Sequence, residues 1–221
     1  MSAANRQGKG SLMSRADSLA AGSADGSADI RERILEAAEH LFYGQGIQAI
    51  GVDAIAAAAR VSKRTLYRHF PSKDLLVVAY LERRAHALIS HEGDPRTRVL
   101  QAFQGLEHWF ASSRFRGCPF VNAVSELGAE PAHPAVGVAV RLKAERRAWF
   151  ERAMREAGAN DPAGLADQLM IVFEGAIATA LVRGGGAGIA RSARTVAMAL
   201  LAGADVDSGA VGVIRPGSPR P

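Results

Sequence analysis

Cysteine occurs once in the 221 residues, as Cys118, so no disulfide can form within the chain and stability must come from a packed core. Aromatic residues are few, at 6%, and no window approaches 18 uninterrupted apolar residues, so a membrane-spanning helix is not expected. Near Met1 the residues Asn5, Arg6, Gln7 and Lys9 are polar where a secretory signal would be apolar. Both absences point to the reducing cytoplasm. Alternation of apolar and polar residues is nowhere sustained, which excludes an extensive sheet. Abundant instead are Ala, Leu, Glu and Arg, residues that enter helices easily, so the body of the chain is expected to be all-α.

Residues 1–29 and 203–221 are rich in small and polar residues without apolar periodicity and read as disordered tails. Between them the punctuation marks nine helices. The first starts at Asp29 as N-cap, carries the stripe Ile34, Leu35, Ala38, Leu41 and Phe42, and stops at Gly44 or Gly46. A short second helix covers 52–59, Arg60 and Val61 turn the chain, and Ser62 caps a third helix that reaches Phe70 before Pro71. The fourth is capped by Ser72, with Leu75, Leu76, Ala79 and Leu88 on its inner face. Pro95, Pro119, Pro134 and Pro162 each open a later helix, the sixth of which contains Phe120, Val121, Val124 and Leu127. Gly184 to Gly188 separates the eighth from a last helix over 190–202.

The net charge of +5 belongs wholly to the body, because each tail carries equal numbers of acids and bases. Its sharpest concentration is 60–73, where Arg60, Lys63, Arg64, Arg68 and Lys73 occur without an Asp or Glu. That field attracts polyanions, although a solvated basic helix face has the same composition. The second and third helices with their tight turn read as a helix-turn-helix, whose second member enters the major groove of DNA. Phosphates need cations, hydroxyls and helix N-terminal amides, and base edges need side chains on the exposed face; 62–73 supplies each.

The stretch Val61-Ser62-Lys63-Arg64-Thr65-Leu66-Tyr67-Arg68-His69-Phe70-Pro71-Ser72-Lys73-Asp74-Leu75-Leu76 closely resembles the signature of the TetR (tetracycline-repressor-like) transcription regulators. Ile34-Leu35-Glu36-Ala37-Ala38, Leu41-Phe42, Gly46 and Ala54-Ile55-Ala56 stand at that family's intervals. The resemblance implies a nine-helix TetR-like architecture: a three-helix DNA-binding domain over 30–76, and a ligand-binding and dimerisation domain over 77–202. It implies a homodimer through helices 161–183 and 190–202, operator DNA as partner, and a small apolar or amphipathic effector that releases a repressor from a pseudo-palindromic operator. It places Gly51, Ser62, Lys63, Arg64, Thr65, Tyr67, Arg68, His69 and Lys73 at the DNA, with Leu66 and Phe70 in the core. Two positions depart from the pattern. Arg60 stands where the family commonly has glycine, and Ile50-Gly51 stands where it prefers Thr or Ser, so a hydroxyl contact is lost while the Gly51 amide remains.

The C-terminal half resembles the family less closely, except at Gly117-Cys118-Pro119-Phe120-Val121-Asn122-Ala123. Phe103, Leu106, Trp109, Phe110, Phe120, Trp149 and Phe173 could line an effector cavity or form plain core, with Asn122 as an orienting polar group. Cys118 packs as a small core residue or senses oxidants and electrophiles. No cofactor is expected. The glycine-rich 184–188 lacks a preceding strand and a following Lys-Ser or Lys-Thr, and His86, His91, His108 and His133 lack metal-ligand spacing. Cys118 with His108 or His133 has no hydrolase signature, so an enzyme is not expected. The competing class is an enzyme or small-molecule carrier whose basic segment binds a phosphorylated metabolite.

Overall fold

The computed structural model describes the backbone of residues 13–85, 92–128 and 133–204, with side chains from residue 27 onward. These residues form nine α-helices: α1 (Met13–Gln45), α2 (Val52–Ala58), α3 (Lys63–His69), α4 (Lys73–Arg84), α5 (Pro95–Ala111), α6 (Pro119–Leu127), α7 (Pro134–Glu156), α8 (Pro162–Arg183) and α9 (Ala187–Gly203). The all-α expectation holds, and no strand occurs among the described residues.

Boundaries differ where the sequence carries no stop signal. The chain has no proline before Pro71, and α1 extends upstream of the amphipathic 30–45 segment to Met13 through Gly22 and Gly26, each of which costs a helix about 1 kcal/mol relative to alanine. Asp29 is therefore inside α1 and pairs with Arg33 at 3.5 Å, one turn on, instead of capping the helix. Similarly α9 begins at Ala187, inside the expected glycine linker. Residues 1–12 and 205–221 of the expected tails, and Leu88, His86 and His91, lie outside the described residues.

The helices divide into two compact units. One holds α1 to α4, α6 and the start of α7. Its core joins Ile34, Leu35, Ala38 and Phe42 of α1 to Ile55, Leu66, Phe70, Leu76, Val77, Tyr80 and Leu81, and the Phe42 and Tyr80 rings lie 5.8 Å apart. Leu75 was expected inside but is 47% exposed, because the buried face of α4 runs through Leu76, Val77, Tyr80 and Leu81 at helical spacing. Around this core Arg83 reaches Glu32, Glu36 and Glu39, and Arg84 pairs with Glu39 at 3.0 Å while lying 4.2 Å from the Tyr43 ring. α4 is thus clamped to α1 by charge as well as packing. On α6 only Pro119, Phe120 and Ala123 are buried, and Val121 and Val124 are exposed.

The other unit holds α5, the remainder of α7, α8 and α9. Ala190, Ala193, Ala197 and Leu201 form the buried stripe of α9, and these mostly small residues let it lie close to α5 and α8. Asp161 caps α8 by accepting a hydrogen bond from the Gly164 amide at 2.9 Å, and Gly184, at φ +75°, ends it in the left-handed conformation. Contrary to the expectation from uninterrupted runs, α8 is long and apolar enough to cross a membrane by length and composition. In this fold its Leu165, Leu169, Phe173, Ile177 and Ala180 face is buried instead.

The turn between α2 and α3 resolves the question raised by Arg60. The Val61 amide donates to the Ala56 carbonyl at 3.0 Å and the Arg60 amide to that of Ala57 at 3.1 Å, a helix ending that requires a left-handed residue between them. Arg60 occupies it at φ +55°, alone in that region among the described non-glycine residues. Its Cβ crowds the following carbonyl, at about 1–2 kcal/mol. Arg60→Gly should therefore raise stability by roughly 0.5–1 kcal/mol after the entropy that glycine adds to the unfolded chain. Thermal denaturation should show a midpoint about 2–4 °C higher per kcal/mol, with an unchanged helical spectrum.

Candidate nucleic-acid interface

α3 is only seven residues long and cannot stand alone; its orientation is set by what holds its ends and its inner side. Ser62 caps the start, its Oγ accepting from the Thr65 amide at 3.0 Å and meeting Thr65 Oγ1 at 2.8 Å. Leu66 is fully buried and Phe70 is 3% exposed, with the Arg31 guanidinium 4.9 Å from the Phe70 ring. Pro71 stops the helix, and Ser72 caps α4 by accepting from the Leu75 amide at 3.1 Å. At 100° per residue Arg64 and Arg68 lie opposite Leu66, Tyr67 lies about a quarter-turn round and Lys63 stands at the first turn nearer the buried side, and all four are exposed. Thr65 and His69 are half-buried at the flanks, and His69 Nε2 is shielded from solvent without a hydrogen bond. Lys73 is half-buried at the start of α4, its Nζ 5.9 Å from the Phe42 ring.

α2 supports this helix from behind. Ile55 and Ala56 enter the core, and Arg33 of α1 donates to the Ala59 carbonyl at 3.2 Å, covering an end that would otherwise lack a partner. Gly51 is the N-cap of α2 without a side-chain bond, and its backbone is exposed. A Cβ there would meet nothing within 4 Å. α2 also supplies an acid that the basic run itself lacks. Asp53 lies 3.0 Å from Lys63 Nζ, and its hydrogen bond raises the lysine pKa above its ordinary value. Both groups are largely exposed, so the pair is weak and Lys63 can exchange it for a phosphate.

Two polar contacts brace this unit from α6 and α7. The Gln48 amide, in the turn between α1 and α2, donates to Glu126 Oε2 at 2.9 Å, and Gln48 Nε2 donates to the Glu126 carbonyl. Gly46 makes room for that carboxylate: it sits at φ +94°, and a Cβ would lie 3.2 Å from Glu126 Oε2. At the start of α7, His133 Nδ1 accepts from the Ala135 amide at 3.2 Å, which leaves Nε2 to donate to Asp74 Oδ1 at 3.4 Å. Gln48 and Glu126 carry no motif and were not singled out from the sequence, and His133 was weighed there only as a metal ligand and as a partner for Cys118. The braces grip the turn before α2 and the first turn of α4.

The expected effector residues fall into separate groups. Phe103, Phe150 and Phe173 form a buried ring cluster with centroids 5.4 to 6.3 Å apart, and Trp149 lies edge-on to Phe150 at 5.1 Å. Trp109, Phe110 and Phe115 form a second cluster, in which Trp109 is half-buried; Leu106 is fully buried. Phe120 and Asn122 lie on α6 in the other unit, buried and half-buried respectively. Cys118 is 5% exposed, as a packing residue would be. Phe115, Phe150 and Arg146 were missed. Arg146 alone left a signal, as a cation one turn from both Leu142 and Trp149 on the apolar stripe of α7.

A short capped helix with a buried back and a basic outer face, supported by a second helix across a tight turn, defines a helix-turn-helix DNA-binding domain. The family model for bacterial regulatory proteins of the tetR family matches residues 34–80. A crystal structure from Streptomyces avermitilis, assigned to the TetR transcriptional regulators, is 39% identical with a TM-score of 0.69, and the match covers 80% of this chain and 99% of that one. An uncharacterised HTH-type transcriptional regulator of Mycobacterium tuberculosis is 42% identical over 100 residues, 38% of this chain and 50% of its own length. The HTH-type transcriptional repressor NemR of Escherichia coli is 32% identical over 108 residues, covering 45% and 54%. The chain thus spans about half the length of these curated relatives and nearly all of the solved one. It belongs to the TetR family of bacterial regulatory proteins.

Removing the cap of α3 by Ser62→Ala should lower stability by about 1 kcal/mol, read as a lower denaturant midpoint at unchanged slope. Gly51→Ser, for which there is room, should raise it by a few tenths of a kcal/mol, about the difference between these two residues at an N-cap.

Proposed function

We propose that the chain is a ligand-responsive, DNA-binding transcriptional regulator: a homodimeric cytoplasmic repressor that leaves a pseudo-palindromic operator when a small apolar or amphipathic effector binds. The observation that carries the reading is the outer face of α3, where Lys63, Arg64, Tyr67 and Arg68 are exposed together above a buried Leu66. Arg64 and Arg68 suit guanine edges or phosphates, the Tyr67 hydroxyl suits a phosphate, and Lys73 and the Gly51 amide flank the helix as backbone contacts.

Dimerisation is supported by apolar surface that a single chain leaves open. Ile171 is 72% and Val182 88% exposed, and with Gly175 and Ala178 they form one face of α8; Leu181, Val196 and Met198 are also exposed. Leu169 and Ile177, expected at this interface, belong to the chain's own core at 0% and 2% exposure. Two-fold symmetry through such a face pairs two recognition helices with successive major grooves. For release, the effector must bind the DNA-incompetent arrangement more tightly. The Glu126 and His133 braces are where a shift of α6 or α7 would reach the reading head. The ring clusters of Phe103, Leu106, Phe110, Phe173, Trp109 and Trp149 are the effector contacts in this reading.

Binding to an operator selected from a random DNA pool should weaken steeply with salt. Arg68→Ala and Lys73→Ala should each reduce the slope of log K against log salt by about 1 while leaving the fold intact. A metabolite-binding carrier would show neither behaviour. Val182→Glu should convert a dimer into a folded monomer in sedimentation experiments and weaken operator binding with it; a wild-type monomer at micromolar concentration would refute the dimer.

A further inference from the structure

Arg60 holds a left-handed position, φ +55°, that glycine would fill without crowding a Cβ, yet its side chain makes no contact that would offset the strain. It is exposed, and among the described residues its guanidinium makes no ion pair, hydrogen bond or ring contact. Most other cations of the same unit are engaged. Arg33, Arg83 and Arg84 pair with acids, Arg31 and Lys73 lie over rings, and Lys63 pairs with Asp53. Among the described residues of the unit, the Lys and Arg side chains left without such a partner are Arg60, Arg64 and Arg68, all within the helix-turn-helix.

In a helix-turn-helix the first helix crosses the sugar-phosphate backbone, and the N-terminal end of the second enters the major groove. Arg60 stands at that junction. It follows the last turn of α2 and precedes the Ser62 cap of α3 by two residues, so their Cα atoms are at most about 7 Å apart. A long cation in this place meets the phosphates that rim the groove, whereas the base edges on its floor fall to the exposed face of α3. Asp53 is the acid that α2 brings to this surface, and it is taken up by Lys63. It stands seven residues from Arg60, roughly 10 Å along the helix, and leaves the Arg60 charge uncompensated. Strained non-glycine residues cluster at functional sites, where the surrounding structure holds a conformation that the residue itself disfavours. On the reading that the helix-turn-helix binds DNA, we propose that Arg60 is a phosphate-contacting residue of that interface, and that replacing it with glycine raises stability while lowering DNA affinity.

The test is a fluorescence-anisotropy titration of the full chain, over a series of salt concentrations, against the selected operator and against a duplex of unrelated sequence. One lost phosphate contact should lower the slope of log K against log salt by about 0.9, which corresponds to about eightfold weaker binding at 0.1 M salt. Arg60→Gly should show this loss on both duplexes although it melts no lower than the wild type, so unfolding is not its cause. Arg60→Gln, which keeps the strained turn without the charge, should lose as much; Arg60→Lys, which keeps both, should retain the wild-type slope. The proposal is overturned if the glycine variant keeps wild-type affinity and slope, if the lysine variant is as weak as the glutamine one, or if the loss is confined to the operator, which would mark a base contact. Arg68→Ala, measured beside them, separates two kinds of failure. If it loses slope and Arg60→Gly does not, DNA binding stands and the role of Arg60 falls; if the wild type binds neither duplex, both fall.

Discussion

The reading head depends on one constraint: a seven-residue helix too short to persist alone is held because Leu66 and Phe70 cannot leave the core. Burying that side fixes the rotation of α3 about its axis. Rotation in turn decides that Lys63, Arg64, Tyr67 and Arg68 point outward together. The Ser62 and Ser72 caps set where the helix begins and where the next one starts, and the left-handed Arg60 sets the angle at which it leaves α2. Burial, capping and one strained backbone position thus present the cationic face, whose own charges contribute little to stability.

The same unit recruits segments distant in sequence. Glu126 and His133 meet Gln48 and Asp74 through single hydrogen bonds or ion pairs at the margins of the helix-turn-helix. Such contacts are modest in free energy and directional. By contrast α1 and α4 are joined by a continuous apolar seam and an arginine shared among three glutamates. In the other unit α8 divides its apolar residues between two faces: Leu169, Phe173 and Ile177 turn inward, and Ile171 and Val182 turn to solvent.

Most helix limits were legible because proline, glycine and capping residues state them locally. Pro95, Pro119, Pro134 and Pro162 open α5 to α8 at the positions expected, and Ser62 caps α3. The upstream start of α1 was not legible, since 13–29 is polar and glycine-containing and carries no apolar stripe to mark it as helix. Neither was the exposure of Leu75 or Val121: an apolar residue in an amphipathic helix does not reveal which side of a broad stripe its neighbours will cover. The run at 60–73 holds no acid of its own, yet Asp53 reaches Lys63 from the preceding helix, ten residues away in sequence and 3.0 Å away in space.

By itself the sequence determined the helical class, the nine-element order, the capped basic helix and the family resemblance, because each is written in residue type and spacing over a few turns. Only the tertiary structure decided which apolar residues close the core and which stay open, that α6 and the start of α7 join the unit of α1 to α4, and that Arg146 is buried beside Glu174 and the Phe173 ring. Those outcomes depend on contacts between residues tens of positions apart, and no local pattern encodes a contact whose other half lies on a different helix.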